Sequence, residues 1–207
     1  MTQDLFATPN ALQALPMPGA DVAYLRHLAL GQAPLLVMQQ LIDEVAWKSE
    51  RITVWGKSHL QPRLIAWYGD AGSRYAYSGM ALEPLPWSQL LLDVKARVEA
   101  AAHTSFNSVL INYYRDQHDR MGFHSDDEAP LGKRPVIASL SLGASRTFVF
   151  KPREGVQAKD HKMVLESGSL LVMQGDTQRH WKHGIPKESS PCGPRVNLTF
   201  RRIGLND

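Results

Sequence analysis

Hydrophobic and polar positions follow two different periods along the chain. Between residues 34 and 47, and again between residues 86 and 103, apolar residues recur at helical spacing, which predicts two helices. Pro34 suits the first turn of the earlier helix, because the N–H that proline lacks would have no partner there. Each predicted helix carries one apolar stripe, so both are expected to back a sheet.

Most of the remaining chain shows the pattern of short strands separated by Gly, Ser or Pro. RITVW and RLIAWY come between the two predicted helices. After position 100, further segments follow one another without a helix between them: SVLINYY, VIASLSLG, RTFVFKP, HKMVLE, SLLVMQ and RVNLTFRR. Such a run favours an antiparallel sandwich or barrel. The predicted fold class is α+β, mainly β, with helices first and a β-rich core after them.

The length and composition favour one domain with an N-terminal extension. Residues 1–33 are rich in Pro, Gly, Ala and Gln and show little periodicity, which predicts an irregular arm. The single domain is then expected over residues 34–207. A chain of 207 residues buries about 70% of its unfolded surface, so it does not need a metal in order to fold.

The sequence also indicates in which cellular compartment the protein is expected. No apolar run approaches the roughly 20 residues that span a bilayer, so no membrane partner is expected. The N-terminus lacks the basic and apolar pattern of a secretory signal, and one cysteine, Cys192, agrees with a reducing compartment. The expected location is the cytoplasm, or the nucleus in a eukaryote, without secretion.

The charge permits a nucleic-acid partner without requiring one. The chain has 23 basic and 20 acidic residues, a net charge of +3 and a pI near 9.0. Basic residues gather between Arg146 and Lys162 and around the segment from Arg51 to Arg63, where they could follow phosphates. A solvated surface is the alternative interpretation.

Candidate chemistry begins in MGFHSDDEAP, where His124 and Asp126 are two positions apart. In an extended segment their side chains share a face and can hold one cation. A later segment, QRHWKHGIP, contributes His180 and His183. Two histidines and one carboxylate form the facial triad of non-haem Fe(II) oxygenases, which leaves coordination positions open for a co-substrate and dioxygen. Spacing alone does not choose between His180 and His183.

The last predicted strand adds a cationic face. In PRVNLTFRR the positions of Arg195, Asn197, Thr199 and Arg201 face one way, while apolar residues face the other. Beside an iron site, two arginines could bind the two ends of a dicarboxylate such as 2-oxoglutarate. On an edge strand, the same pattern would mean only solvent exposure.

Taken in order along the chain, these segments resemble the AlkB-type Fe(II)/2-oxoglutarate dioxygenases, closest to the branch of the second and third human homologues. The resemblance covers roughly residues 50 to 203 and includes VWGKSHLQPR, AWYGDAGSRYAYSG, FNSVLINYYRD, GFHSDDE and PRVNLTFRR. It implies a double-stranded β-helix, or jelly roll, with a nucleotide-recognition lid at about residues 50–82. It also implies direct reversal of DNA damage by oxidative demethylation of N1-methyladenine and N3-methylcytosine.

The resemblance also implies a role for particular residues. His124, Asp126 and His183 would be the catalytic iron ligands, with 2-oxoglutarate and O2 as co-substrates, and His180 would be a neighbour. The co-substrate would be held by Arg195, Arg201, Asn112, Tyr114 and Thr199. The damaged base would meet Tyr75, Tyr77 and Ser78 of the lid and the carboxylates of Asp127 and Glu128. Trp55, at a hairpin tip, would wedge into the base stack, unless it packs in the core.

Two other functions stay open at the level of sequence. The same chemistry could act on RNA, whereas the tyrosine-rich lid argues against a protein substrate. The chain could instead be a catalytically silent jelly roll that binds nucleic acid. The expected partner is methylated single- or double-stranded DNA, and a monomer suits an enzyme that must reach around it.

Overall fold

The computed structural model describes residues 11–54, 57–73, 75–77 and 80–204. Its helices are α1 Pro34–Glu44, α2 Gln89–Ala102 and the short α3 Thr177–His180, with a 3-10 turn at Ala129–Leu131. The strands, in chain order, are β1 Gln13–Ala14, β2 Asp21–Leu25, β3 Arg51–Val54, β4 Lys57–Leu60, β5 Leu64–Gly69, β6 Tyr75–Tyr77, β7 Met80–Leu82, β8 Ser108–Tyr114, β9 Met121–His124, β10 Ile137–Gly143, β11 Arg146–Pro152, β12 His161–Leu165, β13 Leu170–Gln174, β14 Trp181–Ile185 and β15 Arg195–Arg201.

The strands form a major sheet of seven and a minor sheet of four. The order is β1-β2-β13-β10-β15-β8-β5 in the major sheet and β12-β11-β14-β9 in the minor sheet. Neighbouring strands in both sheets pair antiparallel. The predicted mainly-β sandwich with jelly-roll strand order is therefore confirmed.

Strand alternation assigns the two faces of the major sheet to two cores. Leu140, Val196 and Leu198 face α1 and α2 and form one buried cluster with both helices. Tyr114 and Met173 face the minor sheet and pack in a second cluster with its aromatic residues, among them Phe148, Phe150 and Trp181. Because successive side chains of a strand point to opposite faces, each central strand contributes to both cores.

Both predicted helices are present, with altered ends. α1 begins at Pro34 as expected but stops at Glu44, because Lys48 then exchanges backbone hydrogen bonds of 2.8 and 2.9 Å with Ile65. α2 begins after Ser88, whose Oγ accepts the Leu91 N–H at 3.3 Å. Among the described residues, no helix has the length and apolar content to cross a bilayer.

The prediction of an irregular arm is wrong for part of residues 11–33. β2 pairs along its length with β13, placing Ala23 opposite Val172, and β1 pairs with β2. The arm therefore extends the major sheet. A five-residue strand flanked by Pro and Gly carries too little local signal, and only its partner β13 stabilises it.

The predicted lid region consists of separate pieces. β3 pairs with β4, and β6 pairs with β7, as two antiparallel hairpins. β5, which lies between these hairpins in sequence, is a strand of the major sheet paired with β8. Trp55 and Ser78 lie outside the described residues, so their predicted roles stay predictions.

Candidate metal and co-substrate site

Three side chains from separate parts of the minor sheet meet at its inner face. His124 ends β9, Asp126 follows in the next turn, and His183 lies on β14 directly opposite His124. One ligand atom from each lies within 4.8 Å of the others. The structure thus brings together the predicted set of two histidines and one carboxylate.

His180 has a different position. Its Nδ1 donates a hydrogen bond of 2.7 Å to the Gly19 carbonyl oxygen, in the turn of the arm between β1 and β2. The next residue, Trp181, donates from Nε1 to the Pro18 carbonyl at 3.0 Å. His180 is therefore an anchor for the arm, and His183 is the histidine that joins the cluster.

Asp126 is a buried carboxylate with one oxygen engaged. Its Oδ1 accepts a 2.6 Å hydrogen bond from Arg201 Nη2, whereas the buried Oδ2 accepts no hydrogen bond from the described residues. Burial raises the pKa of Asp126, but Arg201 and the histidines His124 and His183 outweigh it and bring the pKa to about 2. The carboxylate is ionised at neutral pH, and Oδ2 is available to a cation.

Each of the two histidines can offer one ring nitrogen to a metal ion. His183 Nε2 lies 3.6 Å from Asp126 Oδ2, close to the separation of two ligands that each lie about 2.1 Å from one shared metal ion. Burial and the neighbouring His124 lower the pKa of His183 to about 3, so the contact is not an ion pair. His124 Nδ1 donates to the Gly122 carbonyl at 2.9 Å, which leaves the lone pair on Nε2.

The turn that carries Asp126 is tied to the segment that carries His183. Gln178, buried in α3, accepts the Asp126 backbone N–H on its side-chain Oε1 at 3.0 Å. Ser125 Oγ donates to the Trp181 carbonyl at 3.0 Å. These bonds join two parts of the chain that are far apart in sequence, so the ligand positions depend on each other.

A polar stripe runs along the buried inner face of β15, next to the cluster. Arg195 is 1% exposed, and its Nη2 donates to Ser141 Oγ at 2.9 Å. Its Nε and Nη1 make no hydrogen bond within the described residues, and its guanidinium lies 5.0 Å from the centre of the Tyr114 ring. Burial lowers the pKa of Arg195, so the site gains from an anionic partner.

The remaining predicted co-substrate residues lie on the same sheet face but differ in position. Thr199 Oγ1 donates to Asn197 Oδ1 at 3.1 Å, and Thr199 lines the cavity beside the cluster together with Tyr114. Asn112 lies opposite Asn197 in the neighbouring strand and accepts from Arg63 Nε at 2.6 Å. The cavity is narrow, about 30 Å³, so a five-carbon dicarboxylate enters it only when side chains move outward.

Sequence reasoning missed several residues of this cavity. The polar one is Ser139, whose Oγ accepts a 2.8 Å hydrogen bond from Nδ2 of Asn197, a residue that alternation had placed on the polar face without a role. The apolar ones that line the wall are Met121, Phe148, Met173 and Ile185. Serines at alternate positions of the otherwise apolar strand VIASLSLG indicated that Ser139 lies on a polar face. The sequence around the apolar residues of the cavity gives no local indication of their position.

The residues predicted to meet the damaged base lie in the loop after β9 and on β6. Asp127 Oδ2 accepts a 2.6 Å hydrogen bond from Arg153 Nη1, so its charge is already paired. Glu128 is half-buried, and its Oε2 has no hydrogen-bond partner among the described residues. Tyr75 and Tyr77 belong to β6, opposite Leu82 and Met80.

One basic residue predicted to follow phosphates lies instead in the core. Arg146 is 0% exposed, and its Nη2 donates to the carbonyls of Asp119 and Pro186 at 2.7 and 2.9 Å. Its Nη1 donates to the Asp116 carbonyl at 3.2 Å. The expectation is wrong for Arg146, because these loop carbonyls hold its guanidinium inside.

This combination of a jelly roll, an open His-Asp-His cluster and a buried arginine beside it is typical of Fe(II)-dependent oxygenases that use a 2-oxoacid as co-substrate. The family described as the 2OG-Fe(II) oxygenase superfamily matches residues 21–201. The chain belongs to this superfamily and, within it, to the AlkB family. The residues present fit the two groups that the family name states: Asp126 Oδ2 and the two imidazoles suit Fe(II), and Arg195 suits a carboxylate of 2-oxoglutarate.

Individual relatives agree with this placement. The chain is 43% identical over 175 residues to mouse (Mus musculus) alpha-ketoglutarate-dependent dioxygenase alkB homolog 3, covering 81% of this chain and 60% of that protein. It is 41% identical over 178 residues to human (Homo sapiens) DNA oxidative demethylase ALKBH2, covering 82% and 68%. The solved structure of OsALKBH1 has the same fold, with a TM-score of 0.59 at 21% identity, over 92% of this chain and 99% of that one. The chain spans about 60% of the length of the first of these relatives.

Proposed function

We propose that this protein is an Fe(II)- and 2-oxoglutarate-dependent dioxygenase that removes N-methyl groups from bases in DNA, with N1-methyladenine and N3-methylcytosine as substrates. The observation that carries the proposal is the cluster of half-buried His124 with buried Asp126 and His183, beside the partly unbonded Arg195. The name DNA oxidative demethylase, given to relatives about 41% identical, supports the choice of substrate.

The chain's own residues supply placement and charge. Asp126, His124 and His183 would hold the metal, and Arg195 would take a carboxylate of the co-substrate. When bound, iron, 2-oxoglutarate and O2 would supply the oxidation of the N-methyl carbon: one oxygen atom of O2 would go to that carbon, the other would go to succinate as 2-oxoglutarate loses CO2, and the resulting hydroxymethyl group would leave as formaldehyde and restore the base. Arg201 keeps Asp126 ionised and oriented through its 2.6 Å bond.

The walls of the site keep water out. Phe148, Met173 and Ile185 are buried and line the cavity, so the reacting carbon would meet apolar surface instead of solvent. A methylated adenine or cytosine is cationic and favours a nearby carboxylate. Because Arg153 already pairs with Asp127, we assign that role to Glu128, whose Oε2 is buried without a hydrogen bond.

The test is mass spectrometry of single- and double-stranded DNA oligonucleotides that carry N1-methyladenine or N3-methylcytosine. Each is incubated with the protein, Fe(II), 2-oxoglutarate and air, beside the His124→Ala variant. We expect loss of one methyl mass with the intact protein only. Succinate formation without methyl loss on any DNA would contradict the DNA substrate and leave the oxygenase chemistry in place.

RNA is the second candidate substrate, because the groups on the base that would be recognised are shared by both nucleic acids. Competition between matched methylated DNA and RNA oligonucleotides decides between them. We further propose that the protein acts as a monomer in the cytoplasm, or in the nucleus if its source is a eukaryote. Sedimentation of the purified protein tests the first of these statements.

A further inference from the structure

A basic cleft lies on the outer side of the turn that carries Asp126. Its volume is about 880 Å³, and four cationic and two acidic side chains contribute to its walls. These residues are Lys133, Arg134, Arg153, Arg179, Asp127 and Asp176. They come from the turn after β9, the segment before β10, the end of β11 and α3, so the fold alone brings them together.

The charges in this basic cleft are only partly balanced. Arg153 pairs with Asp127 at 2.6 Å, and Arg134 lies 3.5 Å from Asp176. Lys133 and Arg179 are both exposed, and neither has an ion pair within the described part of the chain. The cleft thus presents two cations whose charge no described acidic side chain takes up.

The wall of the basic cleft is in direct contact with the metal-binding turn. Gln178 lines the cleft, and its carbonyl accepts from Arg153 Nη1 at 3.2 Å. The side chain of the same Gln178 accepts the Asp126 N–H at 3.0 Å. Arg179 is the next residue along α3. A strand bound in the basic cleft would therefore lie beside Gln178, which is hydrogen-bonded to the candidate metal ligand Asp126, and beside Asp127, the next residue in the sequence.

We propose that the basic cleft binds backbone phosphates of the nucleic-acid strand that carries the modified base, with Lys133 and Arg179 as the phosphate contacts. This inference rests on the proposed function. An enzyme that oxidises a base rotates that nucleotide out of the stack about its backbone, so the flanking phosphates stay at the mouth of the site. Cations in the basic cleft, which Gln178 joins to the loop that carries Asp126, would then position the strand without reading its sequence.

The test measures how binding depends on salt. Fluorescence anisotropy follows a labelled single-stranded oligonucleotide with one N1-methyladenine, in the presence of Fe(II) and 2-oxoglutarate and without oxygen, so that the strand is bound but not oxidised. Each phosphate contact contributes about 0.7 to the slope of log affinity against log salt for a single strand. The Lys133→Gln/Arg179→Gln double variant should therefore bind more weakly, with a slope shallower by about 1.4.

The matched control removes the same charges elsewhere. Lys95 and Arg97 lie on α2, which packs on the opposite face of the major sheet, and Lys95 forms an i,i+4 ion pair with Glu99 that contributes little to stability. The Lys95→Gln/Arg97→Gln variant should keep the wild-type slope. An equal change of slope in both double variants, or no change in the cleft variant, would overturn the proposal.

Two further measurements separate the possible outcomes. Demethylation of the same oligonucleotide by the wild-type protein is measured in parallel. If the wild type demethylates the strand while the cleft variant keeps its slope, the basic cleft is not a phosphate site and the proposed function stands. If the wild type neither binds nor demethylates the strand, both fail. Binding of a labelled hexaglutamate peptide that the cleft variant loses, while that variant still binds the oligonucleotide like the wild type, would assign the cleft to an acidic protein segment instead.

Discussion

Two buried arginines near the Tyr114 ring show that the hydrogen-bond partners of a buried charge decide its effect on stability. Arg146 and Arg195 lie 5.5 and 5.0 Å from the centre of that ring, and both are almost completely buried. Arg146 donates to three backbone carbonyls, whereas Nε and Nη1 of Arg195 make no hydrogen bond that meets the usual geometry within the described residues, and its guanidinium contacts only the Tyr114 ring and Ser141 there. We therefore assign Arg146 to the stability of the fold and Arg195 to ligand binding.

This contrast gives a prediction of opposite sign for two similar substitutions. Arg195→Met should raise the free energy of unfolding by about 1–3 kcal/mol, because it removes a poorly paired buried charge. Arg146→Met should lower it by about 3–5 kcal/mol, because three carbonyls lose their donor. Thermal or denaturant unfolding without ligand measures both.

The ligand dependence of the same variants provides the control. Addition of Fe(II) and 2-oxoglutarate without oxygen should stabilise the wild type, and at ligand concentrations of about 100 times Kd the gain is about 2.7 kcal/mol. The Arg195→Met variant should lose the part of this stabilisation that depends on 2-oxoglutarate. A destabilised Arg195→Met variant that keeps this response would contradict the role of Arg195.

Gln178 gives a second prediction at the scale of a residue. Gln178→Leu removes the acceptor for the Asp126 N–H, so the carboxylate loses its orientation and metal affinity should fall about 10- to 100-fold. Calorimetric titration of the metal-free protein with Fe(II) under anaerobic conditions measures this change. The control is Gln61→Leu, at a buried amide without a hydrogen-bond partner in the described part of the chain, which should leave metal affinity unchanged. Equal affinities for the two variants would count against the role of Gln178.

Among the elements, the arm has a larger role than its composition indicates. Its residues before β2 hold α3 and the start of β14 through His180 and Trp181, and Asp21 N donates to Thr177 Oγ1 at 2.9 Å. β14 carries His183, so the arm supports the metal-binding cluster from behind. The sequence predicted an irregular arm here, whereas β2 pairs with β13 as a regular strand.

A substitution in the arm tests this coupling between elements. Gly19 has φ +66°, and a Cβ there would lie 2.8 Å from His180 Nδ1. Gly72 has φ +87° with nothing within 4 Å, so Gly72→Ala should cost only the backbone strain of about 1–2 kcal/mol. Gly19→Ala should cost about 1 kcal/mol more and also lower metal affinity, because it displaces His180. Unfolding and metal titration of both variants measure the difference, and identical behaviour of the two would exclude the coupling.

At the scale of the whole molecule, the cluster makes the stability of the metal-free protein depend on pH. The pKa of His183 is lowered from 6.5 to about 3, chiefly by burial, so the unfolded chain binds a proton in this interval that the folded chain does not. Acid therefore favours unfolding as the pH falls from about 6.5 to about 3, by at most about 1.4 kcal/mol per pH unit. Asp126, whose pKa is lowered from 3.8 to about 2, adds a further loss below about pH 4.

Denaturant unfolding of the metal-free protein between pH 7.5 and pH 4.5 measures this effect. The free energy of unfolding should fall as the pH is lowered through about 6.5, by at most about 1.4 kcal/mol per pH unit. The His183→Asn variant removes the titrating group and should flatten this dependence on pH. If the wild type and the variant lose stability in parallel over this interval, His183 does not carry the pH dependence.

Much of the fold could be predicted from the sequence because its signals are local. Helical spacing after Pro34, strand alternation in RVNLTFRR and the order of segments after position 100 all depend on residues close together in the chain. Alternation also predicted that Arg195, Asn197, Thr199 and Arg201 share a face, and their strand lies inside the major sheet, between β10 and β8. The His124-x-Asp126 half of the cluster is of this local kind.

What the sequence by itself determined is thus the set of elements, the side of each strand that is polar, and the residue types of an iron site. Only the tertiary structure decided that His183 joins the cluster while His180 binds the arm, that Arg146 is inside, and that Arg153 takes the charge of Asp127. The physical reason is that these outcomes depend on which distant strands become neighbours. Hydrogen bonds and charges are then satisfied by whatever partner the packing brings near, and local pattern carries no information about that partner.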